Sequence, residues 1–257
     1  MPELPDLQVF AKNLEKAFKG KKLKKITVVK AADAENSQEI LEKKLEGSTL
    51  KKVYRSGKEL RFQFDDIVLG MHLMLHGNLF IFEKENTEKH VIAEFLFSNK
   101  NGLVLTDWQK KAAVKLDPAD KKGLDALDKK LNAAYLEKVL QSRAIIKNLL
   151  IDQDVIRGIG NAYADEILWK AGIAPTSVSK VIPAKKIKDL AKSIKSVLSN
   201  AEKQILKTHP DLVTGEVRDF LKIHNPELTH SPGGAPIKVD KKGGRSTYYT
   251  EEQELYK

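Results

Sequence analysis

Residues 145–171 read IIKNLLIDQDVIRGIGNAYADEILWKA, and this stretch decides how the second half of the chain folds. Apolar residues recur at helical spacing at Ile145, Ile146, Leu149 and Leu150 and again from Tyr163 to Ala171, which predicts two helices. Between them the chain turns through Gly-Ile-Gly at residues 158–160, where glycine permits a positive φ and a close approach of the backbone. The segment is therefore predicted to be a helix hairpin.

The turn of this helix hairpin has the residue types of an anion site. Asn161 is an N-cap candidate for the second helix, and Gly160 lets the backbone approach a ligand closely. A helix N-terminus presents free N–H groups and a partial positive charge, for which phosphate is a natural ligand. Lys147 is expected near the C-terminal part of the first helix. Taken alone, such a hairpin is also compatible with a purely structural role.

The first half of the chain has the period of strands. Helices are predicted only at residues 5–18 and Ser37–Leu45. Short apolar runs between turn residues predict strands at Ile26–Val29, Leu50–Tyr54, Leu60–Phe64, Ile67–Leu75, Leu79–Phe82, Val91–Phe97, Leu103–Thr106 and Ala112–Leu116. These elements predict a mainly antiparallel β-sandwich with two helices.

The period changes after Pro118. Further helices are predicted over residues 124–140 and 187–205, and a β-hairpin over Pro236–Val239 and Arg245–Thr250. The predicted fold is therefore α+β, in three parts. These parts are an N-terminal β-sandwich domain at 1–120, a helical domain at 121–228 and a β-hairpin finger at 229–257.

The composition points to a polyanionic partner. The 257 residues carry 45 basic and 35 acidic side chains, a formal net charge of +10, and no cysteine. A basic excess of this size is typical of proteins that bind nucleic acid. The lack of cysteine excludes disulfides, thiolate zinc sites and a cysteine nucleophile. No apolar run approaches the roughly 18–20 residues that span a bilayer, so we expect no membrane partner.

The first three residues carry a second chemical signal. A small second residue such as Pro2 normally allows the initiator methionine to be removed, which would leave a secondary amine at the chain start. An N-terminal amine titrates at about 8, so part of it is neutral at pH 7 and can form an iminium with an aldehyde-like carbon. Glu3 beside it could protonate a sugar oxygen or activate water. An ordinary chain start is the alternative.

Three further stretches accompany the helix hairpin in a fixed order. They are MPELPDLQ at residues 1–8, RSGKEL at 55–60 and GGRSTYY at 243–249. Together the four stretches resemble the formamidopyrimidine-DNA glycosylase and endonuclease VIII family of base-excision repair enzymes, whose usual opening is Met-Pro-Glu-Leu-Pro-Glu. The resemblance implies that the helix hairpin is the family's helix–two-turn–helix and that the tail is its DNA-binding finger.

The resemblance also implies roles for single residues. The implied catalytic residues are Pro2 as nucleophile, Glu3 as proton donor and acceptor, and Lys58 and Arg245 as cations that organise charge around the lesion. The implied DNA contacts are Lys147, Asn161 and His90. Gly160 and Lys242 join them because of their places at the helix turn and beside the tip of the finger.

The finger departs from the family pattern at its metal site. The family's usual finger holds zinc with four cysteines, and the matching positions here are His230, Gly233, Thr250 and Gln253. One possible nitrogen ligand does not make a tetrahedral site. We therefore expect no metal and no cofactor, and a zincless finger held by aliphatic packing and by hairpin hydrogen bonds.

A second departure concerns the residues that fill the gap left by an extruded base. The family uses methionine, arginine and phenylalanine, and the matching residues here are Leu75, Lys110 and Lys111. Leu75 can still act as an apolar plug and Lys110 can hold phosphate. Lys111 cannot stack as phenylalanine does, and Trp108 is the alternative. The stretch 205–224 is short for the capping loop of 8-oxoguanine enzymes, which favours a smaller or ring-opened base.

The predicted function is a bifunctional DNA glycosylase and abasic-site lyase. It would bind double-stranded DNA containing a damaged base or abasic site between its two domains and flip the nucleotide. A Pro2 Schiff base would follow, then β,δ-elimination. We expect a monomer in the cytoplasm, associated with the nucleoid. One alternative is a catalytically impaired family member that binds distorted DNA without turnover. Another is a structural RNA-associated protein that uses only the helix hairpin.

Overall fold

The computed structural model describes residues 1–242 and 244–257, which form two compact units. Unit 1 contains Met1–Asp120 and Ile205–Glu216, and unit 2 contains Lys121–Gln204 and Val217–Lys257. The predicted division placed residues 121–228 in one part, whereas these contacts assign Ile205–Glu216 to unit 1. Within the described residues, no helix is both long and apolar enough to cross a membrane.

Unit 1 is built on two four-stranded sheets. The strands are β1 (Leu23–Val28), β2 (Leu50–Ser56), β3 (Glu59–Phe64), β4 (Ile67–His72), β5 (Asn78–Glu83), β6 (Val91–Phe97), β7 (Asn101–Thr106) and β8 (Ala113–Leu116). Their orders are β1-β6-β7-β5 and β2-β3-β4-β8, with antiparallel neighbours throughout. The rings of Phe64 and Phe97, one from each sheet, stack with centroids 6.4 Å apart. The predicted β-sandwich is therefore confirmed.

Two helices pack on this sandwich. Helix α1 (Leu4–Phe18) buries an apolar stripe that includes Leu7, Phe10 and Leu14, because these residues recur at helical spacing. Helix α2 (Gln38–Leu45) buries Leu41 and Leu45. Both helices agree with the predicted bounds to within one residue.

One strand bound differs from the prediction where it matters for the site. The prediction extended β4 to Leu75, but the strand ends at His72. A tight turn follows, in which Met74 has φ +54° and the Gly77 N–H donates to the Leu73 carbonyl at 2.8 Å. A Cβ on Gly77 would lie 2.2 Å from the Leu73 oxygen, so this turn requires glycine. Leu75 is consequently carried on the turn.

Unit 2 is mainly helical. Its helices are α3 (Ala133–Val139), α4 (Ile146–Ile151), α5 (Asn161–Ala171) and α6 (Ala184–Thr208), the last of which continues into the second segment of unit 1. Helix α5 ends at Gly172, which has φ +66°. Helix α6 buries the predicted face, including Leu190, Ile194 and Leu198. The predicted helix hairpin is therefore present as α4 and α5.

The helical prediction for residues 124–140 was wrong at its beginning. Leu124 and Asp125 form strand β9, which pairs in parallel with β10 (Ile156–Arg157). The reason lies in Gly123, since a Cβ at this position would come within 2.7 Å of the Gln153 carbonyl oxygen. The chain therefore runs against another backbone segment there, and helix α3 starts only at Ala133.

The tail contains the predicted β-hairpin, and the segment after it forms an isolated parallel bridge between Glu254 and Ile173. Strands β11 (Lys238–Lys242) and β12 (Arg245–Tyr249) pair antiparallel, with Lys242 opposite Arg245. Lys242 thus lies in the strand, which extends beyond the predicted end at Val239. The Val178 N–H donates to the carbonyl of Tyr256 at 2.8 Å, which ties the end of the chain to unit 2.

Candidate functional site

The start of α1 fixes Pro2 and Glu3 in unit 1, where both residues are buried. Glu3 is the N-cap residue of the helix and is 4% exposed. Its N–H donates to Asp6 Oδ2 at 2.8 Å, which is half of a capping box, and Pro5 lies in the first turn, where a missing N–H costs nothing. The capping box and Pro5 therefore fix the start of α1 at Leu4, two residues after Pro2.

Pro2 lines a cavity of about 200 Å³ in unit 1. Two large apolar side chains share this cavity, Leu75 at 59% exposure and Trp108 at 60%. Glu216 and His76 also line it. Exposed apolar side chains beside a buried polar group indicate a binding surface for a partly apolar ligand. The structure thus brings Pro2 and Leu75 together, as the family resemblance implies.

The loop that carries Trp108 is shaped by Asp107, whose function was not predicted from the sequence. Asp107 is 1% exposed, and its carboxylate accepts the N–H groups of Gln109 (2.9 Å), Lys111 (2.7 Å) and Ala112 (2.8 Å). Burial is the largest single influence and opposes ionisation. The hydrogen bonds from these backbone N–H groups nevertheless hold the pKa of Asp107 below its ordinary value. The carboxylate therefore fixes the loop.

Lys110, Lys111 and His90 surround this loop on its exposed side. All three are exposed, and Lys110 and His90 have positive φ values of +54° and +57°. The Asp107 N–H donates to the His90 carbonyl at 2.9 Å, which joins the two loops. His90 lines a second cavity of about 390 Å³, which shares His76 and Trp108 with the Pro2 cavity.

Lys58 lies outside the residues that line the Pro2 cavity. It occupies the second position of the two-residue turn between β2 and β3, after Gly57, which has φ +57°. Arg55 holds this turn, since its guanidinium donates to the Gly57 carbonyl at 2.9 Å and to Gln8 Oε1 at 3.1 Å. Because Gln8 belongs to α1, the lysine turn and the helix that begins after Glu3 are rigidly connected.

In unit 2, Lys147 is buried rather than presented to solvent. Its ammonium lies 2.7 Å from Asp165 Oδ1 and donates to Thr247 Oγ1 at 2.8 Å. The other Asp165 oxygen accepts the Tyr248 N–H at 2.9 Å and lies 2.8 Å from His224 Nδ1. This network joins α4, α5 and β12. Lys147 therefore holds the finger in place, and its predicted phosphate contact stays a prediction.

The predicted N-cap role of Asn161 was wrong. Gly160 is the N-cap residue of α5, with φ −123° and ψ −162°, and Asn161 is the first helical residue. The Asn161 side chain reaches sideways instead, and its Nδ2 donates to the Ser246 carbonyl at 2.8 Å. Lys147 Nζ lies 3.4 Å from the same carbonyl. The structure therefore brings Lys147, Asn161 and the residue after Arg245 into one cluster.

The tip of the finger is described only in part. Arg245 is exposed and follows Gly244, whose φ is +75°. Gly243 and the side chain of Lys242 lie outside the described residues, so the predicted role of Lys242 stays a prediction. An exposed arginine at the start of a short strand has the reach and the fork geometry for phosphate oxygens.

The four positions that match the family's zinc ligands do not fit zinc. Gln253 is 7% exposed, and its side chain accepts the Thr250 N–H at 2.9 Å and donates to the Ile173 carbonyl at 2.8 Å. Thr250 is 2% exposed and donates its hydroxyl to Glu252 Oε2 at 2.9 Å. These groups are occupied by hydrogen bonds. Among the described residues, no group of three His, Cys, Asp or Glu side chains could hold a metal ion.

Two family models match the chain. The formamidopyrimidine-DNA glycosylase N-terminal domain matches residues 1–114, and the formamidopyrimidine-DNA glycosylase H2TH domain matches residues 123–209. The formamidopyrimidine-DNA glycosylase of Lactobacillus gasseri is 31% identical over 277 residues, which covers 100% of both chains. That of Syntrophomonas wolfei is 31% identical and covers 98% of this chain and 99% of the relative.

The chain belongs to the formamidopyrimidine-DNA glycosylase family. Solved structures agree with this assignment. The Lactococcus lactis enzyme in complex with abasic-site DNA superposes with a TM-score of 0.87 at 26% identity, covering 98% of this chain and 100% of that one. A complex of the same enzyme with DNA containing an oxidised pyrimidine gives a TM-score of 0.87 at 28% identity and the same coverage. The expected family and fold class are therefore confirmed.

For this glycosylase family member, sequence reasoning missed three residues of the Pro2 cavity and its loop. Asp107 could have been found, since an aspartate two residues before a loop N–H is typical of an Asx turn. His76 and Glu216 carried no local signal. Glu216 is separated from Pro2 by most of the chain, and only the return of Ile205–Glu216 to unit 1 brings it there.

Proposed function

We propose that the protein excises a damaged base from duplex DNA and then cleaves the resulting abasic site. The observation that carries this proposal is that Pro2, Leu75 and Trp108 line the same cavity. Glu3, which follows Pro2 in the chain, is buried. A nitrogen nucleophile, a carboxyl group and exposed apolar surfaces for unstacked bases are the parts that such a reaction needs. Membership of the glycosylase family supports the same conclusion.

The first chemical step is attack of the Pro2 nitrogen on C1′ of the extruded nucleotide, once Met1 has been removed. The C1′–base bond breaks, and the base leaves with the electron pair and takes up a proton. Opening of the sugar ring then protonates O4′, releases the nitrogen proton and leaves an iminium between Pro2 and C1′. Glu3 is the proton donor and acceptor at the sugar.

The iminium makes strand cleavage possible. It acidifies the C2′ hydrogens, so loss of one of them expels the 3′ phosphate by β-elimination. A second elimination expels the 5′ phosphate, which leaves a one-nucleotide gap, and water then hydrolyses the iminium to release the sugar fragment from Pro2. Lys58 and Arg245 supply positive charge near these leaving groups. The turn that carries Lys58 is braced against α1, which keeps it in a fixed relation to Glu3.

Unit 2 supplies phosphate contacts in this proposal. The N-terminus of α5 at Gly160 offers backbone N–H groups to an anion. Ser246, the residue after Arg245, is held by Lys147 and Asn161, and Lys147 is in turn paired with Asp165. Neutralised phosphates release counterions, so binding should weaken steeply with salt. The net charge of +10 favours the same partner.

The preferred base is proposed to be an oxidised pyrimidine or a ring-opened purine. The Lactococcus lactis relative forms complexes with abasic-site DNA, with oxidised-pyrimidine DNA and, as a variant, with Fapy-dG DNA. The short stretch 205–224 remains the reason to expect weak activity on 8-oxoguanine. We further propose that the protein works as a monomer, without metal or cofactor, at the nucleoid in the cytoplasm.

Borohydride trapping on a duplex with one abasic site tests the proposal. The untagged protein should give a covalent adduct, and digestion should place it on the N-terminal peptide. The matched control is the same chain with an uncleavable N-terminal extension, which keeps the fold but blocks the Pro2 nitrogen and should give no adduct. A damaged-base panel then ranks thymine glycol, dihydrouracil, formamidopyrimidine, hydantoin and 8-oxoguanine.

The alternative of a binding protein without turnover predicts a different result. The changed residues Lys110 and Lys111 and the zincless finger motivate it. Such a protein would bind abasic DNA more tightly than undamaged DNA at fixed salt, yet both the free and the blocked N-terminus would give no adduct. An adduct from the free N-terminus alone excludes this alternative.

A further inference from the structure

Glu216 reaches the reactive end of the chain from the opposite end of the sequence. The N-terminal ammonium of Met1 forms an ion pair with Glu216 Oε1, although the two residues are 215 positions apart. Pro2 and Glu216 also line the same cavity of about 200 Å³. The carboxylate side chain is 34% exposed, so it lies at the rim and is only partly screened by water. Glu216 therefore lies beside the position that the nucleophile occupies.

The segment that carries Glu216 is anchored to unit 1. Asn13 Nδ2 of α1 donates to the Leu212 carbonyl at 2.8 Å. Thr214 Oγ1 accepts the Leu79 N–H and donates to Asn78 Oδ1, both at 3.1 Å. Gly215 has φ +83°, a conformation that disfavours other residues and turns the chain towards Pro2. The carboxylate is thus held by α1 and β5 rather than placed by a loose loop.

We propose that Glu216 is the counter-ion of the reactive nitrogen in each of its cationic states. This inference rests on the proposed function. Removal of Met1 moves the terminal nitrogen by one residue, onto Pro2, which shares the cavity with Glu216. A fixed carboxylate stabilises positive charge that develops close to it. Glu216 therefore favours each cationic state of the Pro2 nitrogen over its neutral state.

The charge on the nitrogen follows from the bonds that form and break. The neutral secondary amine becomes positive when its lone pair forms the N–C1′ bond and the C1′–base bond breaks. When the C1′–O4′ bond breaks, the nitrogen loses its proton, the oxygen gains one, and the charge remains on the iminium nitrogen. Loss of a C2′ proton makes the nitrogen neutral as an enamine, and expulsion of the 3′ phosphate restores the positive charge of the iminium. Water finally cleaves the bond between C1′ and the nitrogen, which releases the sugar and the neutral amine. Glu216 neither gains nor loses a proton in these steps.

Other charged groups near the cavity have different tasks. Glu3 caps α1, and Asp6 accepts the Glu3 N–H. Asp107 holds the Trp108 loop through three N–H groups. His76 lines the cavity, and its ring lies 5.1 Å from that of Trp108. These groups are unchanged in the Glu216 variants, so a difference in the pH profile of trapping reports on Glu216.

The test is the pH profile of single-turnover borohydride trapping on an abasic duplex at saturating protein. Intact mass first confirms that Met1 has been removed from each variant. Glu216→Gln should move the acid limb of the profile down by about half a pH unit, because the ammonium loses its partner. It should also lower the plateau rate about threefold, because the iminium loses the same partner. Glu216→Asp keeps the charge and should retain the wild-type limb.

The outcomes separate this inference from the function on which it rests. The same shift is expected in a His76→Asn background, where the histidine cannot contribute to the limb. If Glu216→Gln lowers the plateau rate but leaves the acid limb in place, Glu216 has only a structural role and the inference is overturned. A pH profile identical to that of the wild type overturns it as well. If the wild-type protein itself forms no adduct, the proposed function fails and the inference fails with it.

Discussion

Lys147 Nζ lies 2.7 Å from Asp165 Oδ1, with the two side chains 7% and 0% exposed. Desolvating two charges is costly, so such a pair is retained only where further hydrogen bonds satisfy it. Here further contacts go to β12, through Thr247 and Tyr248, and to His224. The pair therefore connects the helix hairpin to the strand that begins at Arg245, the two elements of unit 2 for which phosphate contacts are proposed.

Lys147→Met should destabilise the protein strongly, because it leaves the Asp165 carboxylate buried without a counter-ion. Removing one partner of a buried pair costs about 3 to 5 kcal/mol. Urea unfolding at pH 7 measures this loss. The double variant Lys147→Met with Asp165→Asn is the matched control, and it should lose less than the single variant because no charge remains unpaired. Equal or greater loss in the double variant would contradict the coupling.

Glu3→Gln should abolish most base excision while leaving DNA binding intact. The amide keeps the size and the N-cap position of Glu3 but cannot donate or accept the proton at the sugar. General acid and base catalysis contributes about 10² to 10⁴ in rate, so excision should fall by that range. Single-turnover excision and a binding titration at fixed salt measure the two effects separately. Wild-type excision by this variant would remove Glu3 from the mechanism.

Local patterns predicted the strands and helices because each element is specified by its own residues. The alternation in Val91–Phe97 and the helical spacing of Leu7, Phe10 and Leu14 both correspond to buried faces. Leu124 shows where this fails. Its leucine spacing is helical, but the close approach of Gly123 to the Gln153 carbonyl, a long-range contact, puts it in a strand.

The site was predictable only where the family motif names a residue. The N-terminal motif indicated Pro2 and Glu3, and the structure places Pro2 in a cavity and Glu3 at the start of α1. Glu216 was not predictable, since its relation to Pro2 depends on where a distant segment returns. Asn161 was predicted to cap its own helix, yet a tertiary hydrogen bond to Ser246 holds its side chain.

Asp107→Asn should destabilise the Trp108 loop, and the effect should depend on pH. The pKa of Asp107 is lowered in the folded protein, so its contribution to stability is full above the ordinary value of 3.8 and is lost as the pH falls through the lowered value. At pH 7 we expect a loss of about 2 kcal/mol, since hydrogen bonds to a buried carboxylate are replaced by weaker ones. Urea unfolding of the wild type and the variant at neutral and acidic pH should show that the difference between their free energies of unfolding becomes smaller as the pH falls. A constant difference would contradict the assigned ionisation.

Trp108→Ala should weaken binding to lesion duplexes more than binding to undamaged DNA. The indole is 60% exposed beside Pro2 and Leu75, where it can stack on a base left without a partner. Stacking of one base on an aromatic side chain contributes about 1 to 3 kcal/mol, which corresponds to roughly fivefold to 150-fold in affinity. Trp108→Phe keeps a stacking surface and should lose little. Titrations on abasic and undamaged duplexes at one salt concentration decide this, and an equal loss on both would assign the indole to non-specific binding.

The stability of the base of the finger should depend on the hydrogen bonds of Glu252 rather than on a bound metal ion. Glu252 Oε2 accepts Trp169 Nε1–H and the Thr250 hydroxyl, both at 2.9 Å, so it joins α5 to the turn after β12. The hydrogen bond from Trp169, followed by those from Ser231 and Thr250, lowers the pKa of Glu252. This contribution to stability is therefore present above the ordinary pKa of 4.5 and is lost as the pH falls through the lowered value.

Glu252→Gln should therefore lower the melting temperature at pH 7 and raise hydrogen exchange in residues 238–249. Trp169→Phe removes the donor of the same hydrogen bond. The fall in melting temperature of the double variant should therefore not exceed the sum of the falls of the two single variants. Added chelator should change neither melting nor exchange in the wild type, because the buried Thr250 and Gln253 already use their polar atoms. A chelator-induced fall in melting temperature would show that the finger holds a metal and would reverse this account.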